Sequence, residues 1–369
     1  MCGNKNLEVF LALLKAGLWE QDAMLSKYEK PDFDEVYVLA EEQSVLGLIT
    51  AGIEHVIDIR VPQEITLQFI GQSLQIEQQN QAMNLFLGKV VEDMHNAGIY
   101  TLLVKGQGLA QCYEKPLWRA CGDVDLFLSN DNYHKAEEYL KPIASEVNVE
   151  NPYNKHLAMT IDSWSVELHG TLRGLLKKSI DKGIDSVQDN VFYGGKVRSW
   201  LNGEVQVFLP HADEDVIFVF CHILQHFFKE AICLRQICDW CRLLWTFRKS
   251  LNHDLLEKRI RKMKIMSEWK VFASFAVNYM GMPKDAMPLY SDSICWSRKG
   301  EKLFNYIIKS EHKTNVNYSS KTSYVNRKLE SFWKHTKVGF SHFIIFPLDT
   351  MFVWGNMVKY GFLVALRRK

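Results

Sequence analysis

Apolar positions in the first hundred residues recur at three- and four-residue steps. Leu7, Phe10, Leu11, Leu14 and Leu18 share one face of a helix. Val36, Leu39, Leu46 and Leu48 place another over Asp34 to Ala51. A long polar–apolar pattern then runs from Gln63 to Ala97, and Gly98 fits the left-handed position that commonly ends a helix.

Beyond Gly98 the period shortens. Ile99 to Val104 is a β-branched and aromatic run that predicts a buried strand. Lys105 to Gly108 follows as a turn, Leu109 to Tyr113 as helix, and Asp123 to Leu128 as a second strand. A helix over Asn132 to Leu140 has Ser129, Asn130 or Asp131 as its cap. Ser145 to Val149, His156 to Ile161 and Trp164 to His169 read as further strands. Gly195 to Trp200 and Glu204 to Leu209 flank Asn202-Gly203, which predicts a hairpin with a type I′ turn and two positive φ angles. From Pro210 the pattern is helical again, so the order is helices, an α/β core, then helices.

Composition narrows the class. The 369 residues carry 44 Lys+Arg against 43 Asp+Glu, and this near neutrality removes the broad attraction that non-specific nucleic-acid binding needs. Sequence-specific nucleic-acid recognition is not expected either. Apolar residues at 47% exclude a disordered chain. Eight cysteines are too few for a disulfide framework, which points to reduced thiols and a cytoplasmic protein. Glu8 and Lys15 interrupt the first apolar stretch, so it reads as an amphipathic helix rather than a leader. The C-terminal stretch from Val338 to Leu366 is apolar but broken by Pro347, Asp349 and Lys359, which favours a buried helix pair over a membrane span. The terminal Arg367-Arg368-Lys369 leaves weak membrane-surface association as the alternative.

Candidate chemistry concentrates between Lys105 and Glu167. A strand entering Gly106-Gln107-Gly108 and then a helix presents backbone N–H groups suited to a phosphate, with Lys105 and Arg119 as nearby cations. Asp123 and Asp125, two apart on a strand, emerge from one face, where a hard divalent cation explains their pairing. Glu167 lies in another apolar strand and needs a partner, which a shared metal would supply. A solvated strand end is the bland alternative for the aspartates taken alone. Three carboxylates beside a phosphate cradle describe metal-assisted nucleotidyl or phosphoryl transfer.

The run "LLVKGQGLAQCYEKPLWRACGDVDLFL", followed by "VELHGTL", resembles the uncharacterised nucleotidyltransferase-like family of the polymerase-β-type superfamily. The resemblance covers about residues 83 to 210. It implies an α+β fold: a polymerase-β-like core, with a small mixed sheet and helices on one face, flanked by helical regions. The expected division is 1–82, 83–210 and 211–369. It further implies Lys105, Gly106, Gln107, Gly108 and Arg119 as nucleotide-binding residues, with Asp123, Asp125 and Glu167 as catalytic ligands of Mg²⁺ or Mn²⁺. An NTP would be the substrate. Better-known members open the loop with a Gly-Ser pair, whereas Gln107-Gly108 stands there without a hydroxyl.

A second cluster follows the core. His222 and His226 are one helical turn apart, and Cys238-x-x-Cys241 has zinc-ligand spacing. Both cysteines nevertheless fall on an apolar stripe with Leu234, Ile237, Leu244 and Trp245, as core residues do. Arg235, Asp239 and Arg242 form the opposite stripe, which reads as surface ion pairs, while His222, His226, Arg235 and Asp239 read either as a structural polar network or as an acceptor pocket like that suggested by the family's similar run. His169 joins them as a candidate that also suits a core histidine. The expected function is transfer of a nucleoside monophosphate from an NTP to an acceptor hydroxyl or amine on a small molecule, sugar derivative or protein. A non-catalytic nucleotide-binding or interaction module of the same fold is the alternative. An Asp-x-Asp glycosyltransferase ranks below both, because it expects several parallel strands before the pair.

Overall fold

The computed structural model describes residues 5–309 and 342–355, apart from 29, 152, 154, 230 and 231. Four helices open the chain: α1 (Lys5–Trp19), α2 (Phe33–Glu42), α3 (Leu46–Glu54) and α4 (Gln63–Asn96). The single helix expected over Asp34 to Ala51 is thus two, because Ser44 turns left-handed at φ +55°. The break frees fully buried Gln43 to accept the Leu234 N–H on its side-chain oxygen at 3.0 Å, holding the start of a later helix. Gly52 brings α1 and α3 into backbone contact: a Cβ there would lie 2.0 Å from the Leu13 carbonyl oxygen.

The central segment contains β1 (Leu102–Val104), α5 (Gly106–Ala110), β2 (Asp123–Phe127), α6 (Asn130–Leu140), β3 (Glu146–Val147), β4 (His156–Ile161) and β5 (Trp164–His169). The strands form one mixed sheet in the order β1-β2-β5-β4-β3. Only β2 and β5 run parallel, with Asp125 opposite Glu167 in the register. Next comes α7 (Lys178–Tyr193), whose buried Ile180, Ile184, Val187 and Val191 recur at helical spacing. The hairpin follows as β6 (Val197–Asn202) and β7 (Val205–Pro210). Pairing of Asn202 with Val205 makes Gly203-Glu204 the turn, and only Gly203 has positive φ, at +62°. Glycine at the first central position fits a type II′ rather than a type I′ turn.

Five helices then follow: α8 (Ala212–Lys229), α9 (Leu234–Phe247), α10 (His253–Met263), α11 (Met266–Met280) and α12 (Ile294–Lys309). One sheet face, with Val124, Leu126, Leu157, Val166 and Leu168, is buried under Phe86, Leu87 and Val91 of α4 and Tyr133 of α6. The other face turns towards α7 and α8, where the Phe127 ring meets Phe192 at 4.7 Å and Phe218 at 5.7 Å. A second apolar cluster joins the N-terminal helices to α8–α12. Cys238 and Cys241 are fully buried within it, and none of the seven described cysteines is in a disulfide.

Of the C-terminal apolar stretch, residues 342–345 and 347–355 are helical, while 338–341 and 356–366 and the terminal basic triplet lie outside the described residues. Among the described residues no helix is long and apolar enough to cross a membrane. Ile345, Phe346 and Val353 are buried against the second cluster. His342 lies among the rings of Phe227, Phe228 and Tyr306, and burial pushes its imidazole down to about 3. The unfolded chain therefore takes up a proton below its ordinary value of 6.5 while the fold resists until about 3, so stability falls with acidity across that window. His342→Phe should remove about 2 kcal/mol of the loss between pH 8 and pH 5, read from denaturant midpoints. An acid arm identical in both proteins contradicts this assignment.

Candidate functional site

Alternation along β2 sends Val124 and Leu126 into the core and Asp123 and Asp125 to the opposite face. The parallel neighbour β5 does the same with Val166 and Leu168 against Glu167 and His169. Oxygens of Asp123, Asp125 and Glu167 consequently lie within 4.8 Å of one another. They line a cavity of about 320 Å³ closed on its far side by α8 and α9.

Lys105, at the junction of β1 and α5, adopts φ +58° and ψ −144°, a backbone conformation that is strained for a residue with a Cβ. Its Nζ donates to Asp125 Oδ1 at 2.6 Å. The same oxygen meets His169 Nε2 at 2.7 Å, while Asp125 Oδ2 is buried without a partner. Glu167 Oε2 meets His156 Nε2 at 3.0 Å and His169 Nε2 at 3.5 Å. The partner required by Glu167 is therefore a histidine pair within the protein itself. His156 was not anticipated. Its pairing opposite His169 in β4 was the available signal, since alternation of buried Leu157, Met159 and Ile161 turns it to the site face.

The carboxylates respond differently to this setting. Burial, then the charges of Asp125 and Glu167, push the Asp123 carboxyl up. Burial also opposes ionisation of Asp125, but the Lys105 ammonium and the His169 hydrogen bond outweigh it and hold that carboxyl down. For Glu167, burial is outweighed by hydrogen bonds from His156 and His169, and its carboxyl lies well below the usual range. Burial lowers Lys105, yet Asp125 more than compensates and raises it. Such a set suits a hard divalent cation: three oxygens converge, one buried oxygen lacks a partner, and mutual repulsion awaits a counter-charge.

The structure brings Gly106, Arg119, His169, His222, His226, Arg235 and Asp239 to the same cavity. Gln107 and Gly108 face elsewhere. The Gln107 amide donates to Asn80 Oδ1 of α4 at 2.8 Å, and the residue does not line the cavity. Gly108 makes room for β7, since a Cβ would lie 2.8 Å from Leu209 Cδ2. With only five residues, α5 sums few peptide dipoles, and the positive charge of this corner comes mainly from Lys105.

Arg119 is committed within the fold. Its Nε and Nη2 donate to the two carboxylate oxygens of Asp239 at 2.8 and 2.6 Å, and the Tyr113 hydroxyl donates to Asp239 at 2.7 Å. Asp239 and Arg242 are buried rather than part of a surface ladder, with Arg242 donating to the Cys112 and Leu18 carbonyls and to Glu20. Arg235 donates to the Ala120 carbonyl through Nη1 at 3.0 Å, and its buried Nε has no partner. His222 and His226 meet through their Nε2 atoms at 3.0 Å. Burial, then Lys105 and His226, push the His222 imidazole well down, leaving it neutral.

Residues 29–281 match the family model described as an uncharacterised nucleotidyltransferase. The chain belongs to this family. Comparison with curated proteins and with solved structures gives no match. Membership supports nucleotidyl transfer as the general chemistry, and the matched span contains every residue described around the cavity.

Proposed function

We propose that the protein is a metal-dependent nucleotidyltransferase with a polymerase-β-type core, moving a nucleoside monophosphate from an NTP to an acceptor hydroxyl or amine. Residues 83–210 would carry the chemistry, and 211–369 would add the acceptor side through His222, His226 and Arg235. The observation that carries the reading is the convergence of Asp123, Asp125 and Glu167 beside Lys105, in one cavity, within a chain of this family. Those carboxylates would hold Mg²⁺ or Mn²⁺, which when bound neutralises phosphate charge and stabilises the attacking and leaving oxygens.

The chain's own residues do the remainder. Lys105 reaches the cavity and gives the phosphates a fixed positive charge, and Arg235 has an unsatisfied Nε to donate to them. Glu167, held ionised by two histidines, suits ligation better than proton uptake. The acceptor forms its bond to the α-phosphorus as the bond to pyrophosphate breaks, and the acceptor's proton passes to a carboxylate of the site. The helices α8 and α9 bound the side on which the acceptor would lie.

Purified protein incubated with Mg²⁺ and each labelled NTP in a cell extract should incorporate label and release pyrophosphate. Absence of both with all four nucleotides, in Mg²⁺ and in Mn²⁺, overturns the proposal. One observation favours a non-catalytic module: Lys105 already occupies Asp125 Oδ1, as it would in a site stabilised without a cation. Nucleotide binding without pyrophosphate release would select that reading. A glycosyltransferase is less well supported, since β2 and β5 are the only parallel pair in the described sheet.

A further inference from the structure

Beside the carboxylates, a second group of donors converges. His156 opens β4, His169 closes β5, and the two residues stand opposite each other in the antiparallel ladder. Glu167 shares the His169 face by strand alternation. One ligand atom from each of the three lies within 4.8 Å of the others, and all three line the cavity.

The spacing is informative. Two ligands bound tetrahedrally at about 2.05 Å from a zinc-like ion stand about 3.3 Å apart along the tetrahedron edge. His156 Nε2 and His169 Nε2 lie 3.0 and 3.5 Å from Glu167 Oε2, on either side of that value. The longer separation makes a poor hydrogen bond but a fitting ligand edge. His169 Nε2 also meets Asp125 Oδ1 at 2.7 Å, a contact that an ion bound at this nitrogen would replace, and Lys105 would then remain as the counter-charge of Asp125. The donor type also differs from the first set: two imidazole nitrogens and a carboxylate suit Zn²⁺ or Co²⁺, whereas three carboxylates suit Mg²⁺.

We infer that His156, Glu167 and His169 form a second metal site, selective for a borderline transition ion, that shares Glu167 with the all-oxygen set. The site would give the cleft two chemically unlike halves, one hard and one nitrogen-containing. Its existence does not rest on nucleotidyl transfer, and a failure of either reading is separately visible.

The test uses the metal-stripped full chain titrated with Co²⁺ under excess Mg²⁺, followed by visible absorption and by pulsed EPR for coupling to imidazole nitrogen. One Co²⁺ should bind that Mg²⁺ does not displace, with nitrogen coupling present. His156→Ala and His169→Ala should each weaken it at least about 10-fold, the scale set by loss of even an outer-shell partner. Asp123→Asn should retain it. His156→Gln, chosen to keep the strand's polar surface, serves if the alanine variant does not fold. Complete displacement by Mg²⁺, absence of nitrogen coupling, or loss in Asp123→Asn but not in the histidine variants overturns the second site and leaves the carboxylate set standing.

Discussion

Replacing Asp123 and Asp125 together by Asn should lower Mg²⁺-dependent nucleotide incorporation by roughly 10³-fold or more, equivalent to about 4 kcal/mol at 1.36 kcal/mol per decade. The same change should leave the circular-dichroism spectrum unaltered. The two positions differ in what their charge does for the fold. Asp123 is ionised at a cost, because burial and the charges of Asp125 and Glu167 push its carboxyl up. Its raised value means that stability is fully present below the unfolded value and is lost as pH rises through the folded one. Asp123→Asn alone should therefore raise the melting temperature of the metal-free protein at neutral pH while removing transfer. Asp125→Asn takes a counter-charge from Lys105 and His169 and should lower it. Opposite stability effects with a common loss of activity mark residues held for chemistry. Transfer unchanged in the double variant would remove the carboxylates from the mechanism.

What could be read before the structure follows from how local each signal is. Strands β2, β4 and β5 were visible because each alternates or runs apolar within six residues, and the face of Asp123 and Asp125 followed from that alternation alone. The convergence with Glu167 was inferable only as a need for a partner. That the partner is a histidine depends on the pairing of β4 with β5, which brings His156 opposite His169. The break at Ser44 was hidden because the apolar period continues across it, and its reason, Gln43 capping a helix nearly two hundred residues away, is tertiary. The type II′ turn was missed for a different cause: register moved Asn202 into the strand, leaving Gly203 first in the turn. Family motifs single out Gln107 and Arg119 in the sequence but do not say where their side chains point, since Asn80 and Asp239 that receive them lie on distant helices.

Asp239→Ala should destabilise the protein by about 3–5 kcal/mol, measured by denaturant unfolding without nucleotide or metal. The basis is a buried pair that has no solvent to fall back on. Arg119 and Asp239 are 8 % and 3 % exposed, and the guanidinium meets the carboxylate through two parallel hydrogen bonds. Removing the carboxylate strands a buried cation and leaves the Tyr113 hydroxyl without its acceptor. Arg119→Met combined with Asp239→Leu removes both charges at once and should recover most of the loss, because a buried pair replaced by apolar groups is often neutral. The pair joins the segment before β2 to α9, so its effect on transfer should be through placement of Asp123 against Arg235. A positioning role predicts that the double variant, once stable, retains nucleotide affinity and loses turnover. Direct phosphate contact by Arg119 predicts instead that affinity falls while stability recovers, and the comparison of the single with the double variant separates the two.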